Sequence, residues 1–265
     1  MEFSINLLSR IGGRATNEDR AAYLCTEESL LLVVADGMGG HDLGEVAAEI
    51  VVRTFTEAFA RGAGARIEDP AEFLVTTSHA AHLGVTEHAL AERLDDIPGS
   101  TCVACVVQDG RAWWVHAGDS RFYHFRGGRA LARTRDHSLM RQVADSFGLT
   151  EEEAASLAGR NVIYSCIGGY QTPQLETGSA AALQQGDVLL LCSDGLWGAL
   201  SDDEIALALR PGALAECLPR LAAAAEARAG STSDNVTAVA LAWGVSEPEA
   251  APALPGEVVL AGFGH

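Results

Sequence analysis

The sequence contains no lysine: all 18 basic residues are arginines, set against 36 aspartates and glutamates, for a formal charge of −18 over 265 residues. The absence of lysine excludes P-loop phosphate binding, Schiff-base catalysis and the β3 lysine of a protein kinase. The shortage of positive charge argues against nucleic-acid binding, because no basic stripe is available to contact a phosphate backbone.

Long hydrophobic runs are missing as well. None approaches the roughly 18–20 apolar residues that span a bilayer. The first residues, Met-Glu-Phe-Ser, lack the basic start of a signal peptide. We therefore expect a cytoplasmic protein with no membrane span.

Metal-binding cysteine pairs are scarce too. Among six cysteines, the single C-x-x-C spacing is Cys102 and Cys105, which lie inside an apolar run of strand type. Residues three apart in a strand point to opposite faces, so these two side chains cannot grip one zinc ion together. We expect buried, reduced thiols.

The composition that is present, 48% hydrophobic and 20% charged residues, is typical of a globular protein, and the length favours one large domain. Short strand-type runs are joined by hairpin signals such as Asp109-Gly110. Locally paired strands with helices inserted in blocks predict an α+β layered sandwich. The first helical pattern begins near Asp42. Three others cover residues 71–94, 202–209 and 213–229.

Acidic residues recur at strand ends. Asp36 and Asp194 each end an apolar strand and are followed by glycine and then a helical pattern, while Asp119 follows one strand and Asp234 precedes another. Four carboxylates at four strand ends could converge on one edge of the core. Oxygen ligands suit Mg²⁺ or Mn²⁺, so the pattern predicts a divalent metal site; the alternative is a set of unrelated turn aspartates.

An arginine lies close in sequence to two further acids. Arg14 precedes Glu18 and Asp19 in the turn between the first two strands. A guanidinium group binds phosphate oxygens in bidentate fashion, so Arg14 beside a metal cluster points to a phosphate ester as ligand. The alternative is an Arg14–Glu18 surface ion pair of little energetic value.

Taken together, seven ordered segments resemble the motifs of the metal-dependent type 2C (PPM-type) Ser/Thr protein phosphatases, in the form of bacterial members. The segments are Arg14-x-x-Asn17-Glu18-Asp19, Asp36-Gly-Met-Gly-Gly-His41, Gly99-Ser-Thr101, Ala117-Gly-Asp119-Ser-Arg121, Thr134-Arg-Asp136-His137-Ser138, Ser193-Asp194-Gly-Leu-Trp197 and Ser233-Asp234-Asn235-Val-Thr237.

The resemblance implies an α-β-β-α sandwich of four layers, in which two packed antiparallel sheets are flanked by helices. It implies a catalytic domain over residues 1–243 with a flap at about 138–165. Residues 244–265 lie outside the resemblance, and their Pro- and Glu-rich start predicts a flexible tail.

The resemblance also implies a centre of two Mg²⁺ or Mn²⁺ ions and a third, weaker one. By this resemblance, Asp36 bridges both ions and the Gly37 carbonyl coordinates one of them. Asp194 and Asp234 hold the other ion, and Asp119 with Asp194 binds the third. Glu18 and Asp19 act mainly through metal-bound water.

The chemistry implied by the resemblance is hydrolysis of phosphoserine and phosphothreonine in proteins. A hydroxide bridging the two ions attacks phosphorus in line, without a phosphoenzyme. Arg14 holds the phosphate, and His41 is the candidate general acid for the leaving alkoxide; the alternative for His41 is a surface histidine at a helix start. The expected partners are phosphoproteins, with a Ser/Thr kinase acting in opposition, and the expected state is a monomer.

Two alternatives compete with this interpretation. Cys105 and Arg111 fit the C-x5-R spacing of cysteine-dependent phosphatases, but the residues between them indicate a strand and a hairpin turn instead of a phosphate-binding loop. The second alternative is a non-catalytic phosphoprotein-binding module that retains the fold. Loss of a core aspartate would favour that module, and none is lost.

Overall fold

Two antiparallel sheets form the centre of the protein. The computed structural model describes residues 2–39, 43–62, 66–149, 162–180, 182–246 and 258–262. In one sheet the strand order is β1 (Phe3–Arg10), β12 (Val236–Trp243), β11 (Val188–Cys192), β7 (Arg121–Arg126) and β8 (Arg129–Arg133).

The second sheet has eight strands. Its main path is β10 (Glu176–Ala180), β6 (Arg111–Ala117), β5 (Cys102–Gln108), β3 (Ser29–Met38), β2 (Asp19–Cys25) and β13 (Val258–Ala261). The short strands β4 (Gly99–Ser100) and β9 (Ile167–Gly168) extend it from the end of β3.

Helices cover the outer faces of both sheets. Helices α1 (Gly44–Gly62) and α2 (Pro70–Glu92) pack on the eight-stranded sheet. The five-stranded sheet carries α4 (Asp194–Trp197), α5 (Asp202–Ala208) and α6 (Leu214–Ala229). Helix α3 (Leu139–Phe147) lies between β8 and β9 in the chain. None of the helices in the described ranges is long and apolar enough to cross a membrane.

The layers follow from the alternation of side chains along fully buried strands. In β3, Leu31 and Val33 pack in the cluster that includes α1, whereas Leu32 and Val34 pack between the sheets. In the five-stranded sheet, Leu190 faces the helices and neighbouring residues face the inter-sheet core. Successive residues point to opposite faces of a strand, so apolar strands such as these need cover on both sides. The predicted four-layer α+β sandwich is confirmed.

The C-x-x-C pair divides between two cores. Cys102 belongs to the cluster under the helices and Cys105 to the cluster between the sheets. Burial raises the pKa of Cys102 to about 12 and raises that of Cys105 further. Both side chains are therefore neutral thiols, and they lie in different cores, an arrangement in which one metal ion cannot bind both sulfurs.

The helix starts carry the capping chemistry expected of them. The Asp69 side chain accepts hydrogen bonds from the backbone N–H groups of Ala71 and Glu72 at 2.9 and 3.0 Å, and Pro70 occupies the first helical position of α2. The first predicted helix is present as α1 from Gly44, and its predicted cap, Asp42, lies outside the described residues.

Part of the predicted flap and part of the predicted tail are described. Helix α3 occupies the first part of the flap, and residues 150–161 lie outside the described ranges. In the tail, Val258–Ala261 forms β13 and pairs with β2, which differs from the flexible tail expected there. The apolar run Val-Val-Leu-Ala supplies backbone partners to an otherwise open sheet edge, a feature that proteins commonly cover.

Candidate metal and phosphate site

The ends of β3, β11 and the starts of β7 and β12 meet at one edge of the sandwich, around a cavity of about 430 Å³. Each of these ends contributes an aspartate. The lining residues are Arg14, Ala15, Thr16, Glu18, Asp36, Gly37, Met38, Thr101, Asp119, Ile163, Asp194, Asp234 and Asn235. Seven of the nine residues singled out from the sequence are thus brought together.

The other two residues are Asp19 and His41. Asp19 lies behind the cavity, 1% exposed, and its Oδ2 accepts a hydrogen bond from Ser193 Oγ at 2.7 Å. Burial raises the pKa of Asp19 to about 7, and Asp194 and Asp234 add to the shift while hydrogen bonds from Ser193 and Thr237 oppose it. His41 lies outside the described residues.

The carboxylates of the cavity repel one another. Burial raises the pKa of Asp36 well above its usual range, and the nearby Asp19, Asp194 and Asp119 raise it further. Burial likewise raises the pKa of Asp119 to about 8, with Asp194 contributing. Positive charge placed among these groups would relieve the repulsion, because it stabilises their ionised forms.

The donor set fits hard divalent cations. All candidate ligand atoms are oxygens, from carboxylates and from the Gly37 carbonyl, which is the chemistry that Mg²⁺ and Mn²⁺ prefer. Gly37 is also sterically required, since a Cβ at this position would overlap the carbonyl oxygen of Gly44. The close approach of the Gly37 and Gly44 backbones therefore fixes Gly37, whose carbonyl is a candidate ligand, in the cavity lining.

Arg14 provides the positive charge at the cavity. Its Nη2 lies 2.7 Å from Asp234 Oδ2, and its side chain remains 59% exposed. Asp234 chiefly raises the pKa of Arg14, with Asp194 and Asp36 adding to the effect. A permanent cation that is both paired with a site aspartate and open to solvent can contact an anionic ligand that enters the cavity.

Two lining residues with structural roles were not singled out from the sequence. Thr101 Oγ1 accepts from the backbone N–H of Asp36 at 2.9 Å, and the Thr101 N–H donates to the Asp36 carbonyl at 2.8 Å. Asn235 is the second, and its hydrogen bonds tie the Arg14 loop to β12. Both residues lie in the segments that carry the family resemblance, but the sequence does not predict the hydrogen bonds they make.

The cysteine-phosphatase reading is wrong. Cys105 is fully buried in β5, and the residues after it form a hairpin turn in which Asp109 and Gly110 have φ values of 54° and 66°. Gln108 then pairs directly with Arg111 across the two strands. No phosphate-binding loop exists at this described segment, and the thiol has no access to solvent.

A separate cluster of titratable side chains lies outside the cavity lining. His116, His137 and Glu176 bring one potential ligand atom each to within 4.8 Å of one another. Burial lowers the pKa of His116, and burial together with His116 lowers that of His137 to about 4. This cluster was not predicted as a site.

Comparison with known proteins identifies the relatives of this arrangement. The family model "Protein phosphatase 2C" matches residues 8–233. The serine/threonine protein phosphatase PstP of Mycobacterium tuberculosis is 34% identical over 258 residues, covering 92% of this chain and 46% of PstP, so the chain spans about half of that relative. The protein phosphatase PhpP of Streptococcus pneumoniae is 30% identical over 203 residues, covering 76% of this chain and 82% of PhpP.

Solved structures share the fold. The serine/threonine phosphatase of S. agalactiae has a TM-score of 0.80 and 29% identity, covering 91% of this chain and 99% of its own. The catalytic domain of PstP in complex with two manganese ions has a TM-score of 0.73 and 30% identity, covering 91% of this chain and 97% of its own.

Proposed function

Because the chain belongs to the protein phosphatase 2C family, we propose that it hydrolyses phosphoserine and phosphothreonine in proteins in a reaction that requires divalent metal ions. The observation that carries this proposal is the acidic cavity, where aspartates from four strand ends meet beside Arg14. Such a cavity repels a phosphate dianion unless cations occupy it, so metal binding and phosphate binding are linked.

We assign the metal ligands as follows. The residues that would hold two Mg²⁺ or Mn²⁺ ions are Asp36, the Gly37 carbonyl, Asp194 and Asp234, with Asp36 placed centrally in the donor set. Glu18 and Asp19 act through water, which suits the buried position of Asp19 behind the cavity. The structure of the PstP catalytic domain in complex with two manganese ions supports the number of ions proposed here.

A third, weaker ion is assigned to Asp119 together with Asp194. The support is that Asp119 lines the same cavity and that the charge of Asp194 is, after burial, the largest cause of its raised pKa. Asp119 has no other role in the proposal, so its removal should leave the two principal ions in place.

Metal ions bound in this cavity would supply Lewis acidity that lowers the pKa of a water molecule, so that water could attack phosphorus in line without a phosphoenzyme intermediate. Arg14 holds the phosphate oxygens with its exposed guanidinium group. His41, which lies outside the described residues, donates a proton to the departing serine or threonine oxygen. Asp234 orients Arg14, because its Oδ2 accepts a hydrogen bond from Arg14 Nη2 at 2.7 Å.

The wider setting is proposed on the same basis. The substrates are phosphoproteins, and a Ser/Thr kinase acts in opposition; the chain works as a monomer in the cytoplasm. The net charge of −18 favours solubility and disfavours acidic partners and nucleic acids.

The test is metal-dependent hydrolysis of p-nitrophenyl phosphate and of a phosphothreonine peptide, with Mn²⁺ and with excess chelator. Asp194→Asn should lower kcat/KM at least about 100-fold, because even residues that only support a metal ligand cost 10–100-fold. Cys105→Ala, at a buried thiol remote from the cavity lining, should stay within about twofold of the unmodified protein.

Two outcomes would contradict the proposal. Absence of metal-dependent hydrolysis by pure, folded protein would favour the non-catalytic binding module, in which case phosphopeptide binding should persist. Loss of activity in Cys105→Ala with full activity in Asp194→Asn would instead revive a cysteine mechanism. Thermal unfolding of each variant separates these outcomes from simple loss of folding.

A further inference from the structure

His137 joins two parts of the chain that are distant in sequence. Its backbone N–H donates to the Gly118 carbonyl at 3.0 Å, and the Gly118 N–H donates back to His137 Nδ1 at 3.3 Å. On its other side, the Tyr164 N–H donates to the His137 carbonyl at 2.9 Å. One residue therefore connects the turn before Asp119 to the segment around Tyr164.

That segment is the base of the predicted flap. Ser138 pairs with Ile163 in an isolated antiparallel bridge, and the Leu139 N–H donates to the Val162 carbonyl at 2.8 Å. We call Ser138, Leu139 and residues 162–164 the flap base. Ile163 lines the proposed active-site cavity, so the flap base and Asp119 border the same space.

The His137 ring is held as a hydrogen-bond acceptor. It is buried, and its centroid lies 4.5 Å from that of His116 and 5.4 Å from that of Tyr164. The lowered pKa of His137, about 4, keeps the ring neutral near pH 7, so Nδ1 has a lone pair for the Gly118 N–H. The ring proton then resides on Nε2, which lies 3.5 Å from Glu176 Oε1.

This proton arrangement argues against a metal ion in the His116, His137 and Glu176 cluster. Both nitrogens of His137 are engaged, one accepting from Gly118 and the other carrying the proton. His116 does not contribute to this argument, because its Nε2 lies 2.8 Å from the Arg135 carbonyl and must donate to it, which leaves Nδ1 with its lone pair. A metal at His137 Nε2 would require the ring to give up the Gly118 contact, since a neutral metal-bound imidazole carries its proton on the other nitrogen.

The Gly118 turn is also fixed from its opposite side. Gly118 has φ +101°, and a Cβ there would lie 2.7 Å from Thr101 Cγ2. Thr101 in turn hydrogen-bonds the backbone of Asp36 and the Ser120 hydroxyl. The Gly118 turn therefore packs against Thr101 on one side and hydrogen-bonds His137 on the other. Asp119 is the next residue along the chain, so its position depends on both contacts.

We propose that His137 is a positioning residue that fixes Asp119 relative to the flap base and thereby sets the affinity of the cation that Asp119 binds. This inference rests on the proposed function, in which Asp119 is the ligand of the weaker ion. It assigns to the Nδ1 acceptor, and not to the bulk of the ring, the task of holding the turn.

Two variants separate the acceptor from the ring. His137→Phe keeps an aromatic ring between His116 and Tyr164 but has no acceptor for the Gly118 N–H. His137→Asn loses the ring, and its Oδ1 can reach the former position of Nδ1. The full chain is titrated with Mn²⁺ by isothermal calorimetry, and amide hydrogen exchange is followed at residues 118–120 in chelator.

The Phe variant should weaken the weakest Mn²⁺ site about tenfold, the low end of the range for residues that support a ligand, and should speed exchange of the Gly118 amide. The Asn variant should stay within about twofold of the unmodified protein in both measurements. If the Asn variant loses as much Mn²⁺ affinity and exchanges its Gly118 amide as fast as the Phe variant, the acceptor role is overturned. A general loss of stability in both variants would not produce the expected difference between them.

A double-variant cycle tests whether the effect passes through Asp119. In an Asp119→Asn background, His137→Phe should cause no further change in Mn²⁺ binding; a full additional loss would overturn the proposal. His124→Phe is the matched control, because His124 is also buried but contacts Asp187 at 2.9 Å, away from the cavity. It should alter stability without altering Mn²⁺ affinity.

Calorimetry and amide exchange test the role of His137, whereas phosphopeptide hydrolysis tests the proposed function, so the two can fail separately. If the unmodified chain binds Mn²⁺ but hydrolyses no phosphopeptide, the proposed function fails while calorimetry and exchange still measure the role of His137. If it hydrolyses phosphopeptides but His137→Phe binds every ion as tightly as the unmodified chain, the positioning role alone fails.

Discussion

At the residue scale, one side chain holds the loop that carries Arg14 and Glu18. Asn235 Nδ2 donates to the carbonyls of Ile11 and Thr16 at 2.8 and 3.0 Å, and its Oδ1 accepts from the Glu18 N–H at 2.8 Å. These three bonds span more than 200 residues of sequence. The position of Arg14 relative to Asp234 therefore depends on the amide of the adjacent residue.

Changing Asn235→Asp should disturb that loop. The substitution puts a second acceptor opposite two carbonyl oxygens, and an unsatisfied buried polar group costs about 1–3 kcal/mol. We expect KM for p-nitrophenyl phosphate to rise at least about fivefold, the equivalent of about 1 kcal/mol, with a smaller change in kcat. Steady-state kinetics at saturating Mn²⁺ measures both.

Asn17→Asp is a control of equal charge. Asn17 Nδ2 donates to the Ser9 hydroxyl at 2.9 Å, and a hydroxyl can turn to donate to a carboxylate. The control should therefore affect KM less than Asn235→Asp does. Equal effects of the two variants would mean that added charge, and not the Asn235 hydrogen bonds, controls the site.

At the element scale, helix α5 (Asp202–Ala208) illustrates how the outer layer is anchored. Ser201 and Glu204 form a capping box, in which the Glu204 N–H donates to Ser201 Oγ at 3.3 Å and the Ser201 N–H donates to Glu204 Oε2 at 2.9 Å. The Glu204 carboxylate also binds both terminal nitrogens of Arg228 at 2.7 and 2.8 Å. The cap therefore ties α5 to α6 (Leu214–Ala229).

Removal of the cap should lower stability without affecting chemistry. Ser201→Ala should reduce the free energy of unfolding by about 1 kcal/mol, whereas Ser201→Gly should reduce it by only a few tenths. Urea unfolding with a common slope gives both values. A larger loss for Gly than for Ala would show that helix flexibility, and not the cap, dominates.

Strand β13 (Val258–Ala261) gives a second element-scale prediction. It pairs with β2, Val258 opposite Leu24 and Leu260 opposite Ala22, and so covers the outer edge of the eight-stranded sheet. Truncation after residue 246 should speed amide exchange in β2, because its outward-facing groups lose their partners. Amides of β5 (Cys102–Gln108) serve as the internal control. Unchanged exchange in β2 would contradict the pairing.

The elements differ in how far the sequence could reveal them. The fully apolar runs ending at Asp36 and Asp194 predicted buried strands with site residues at their ends, because the signal lies within a few neighbouring positions. The roles of Thr101, Asn235 and His137 depend on contacts with residues far away in the chain. Strand β13 escaped prediction because its four residues follow a Pro- and Glu-rich stretch typical of a flexible tail.

At the scale of the whole molecule, the two sheets have a joint consequence. Their packing brings carboxylates from both sheets to one edge, since Asp36 extends from the eight-stranded sheet and Asp194 and Asp234 border strands of the five-stranded one. A protein with a net charge of −18 thus concentrates further repulsion at a single cavity. The stability of the fold should consequently depend on whether cations are bound there.

The raised pKa values of the site aspartates predict how the stability of the metal-free protein varies with pH. Burial raises the pKa of Asp19 to about 7 and that of Asp119 to about 8, above the value of roughly 4 in an unfolded chain. Between these limits the folded state holds protons that the unfolded state has released. Stability in chelator therefore falls as pH rises, by about 1–3 kcal/mol between pH 6.8 and 8.5.

Other buried groups do not mask this trend. The lowered pKa values of His116 and His137 make stability rise with pH, but only below the unfolded histidine value of about 6.5. Asp187 has a lowered pKa because Arg126, Gln184 and His124 hydrogen-bond it against the opposing effect of burial, so its contribution is lost only at acid pH. Buried thiols add to the decline toward pH 8.5, because burial raises the pKa of Cys102 to about 12 whereas an unfolded thiol titrates near about 8.5. The part of the decline that Mn²⁺ removes is therefore the part assigned to the site aspartates.

Chemical denaturation at several pH values, in chelator and in saturating Mn²⁺, measures the trend. Manganese should remove the part of the decline that comes from the site aspartates, because bound cations take over the stabilisation that protons provide. Its stabilising effect should therefore be larger at pH 8.5 than at pH 6.8. Asp119→Asn should flatten the slope in chelator, since it deletes one of the raised groups. Stability in chelator that stays constant or increases over this window would mean that the metal-free cavity is not the strained acidic site described above.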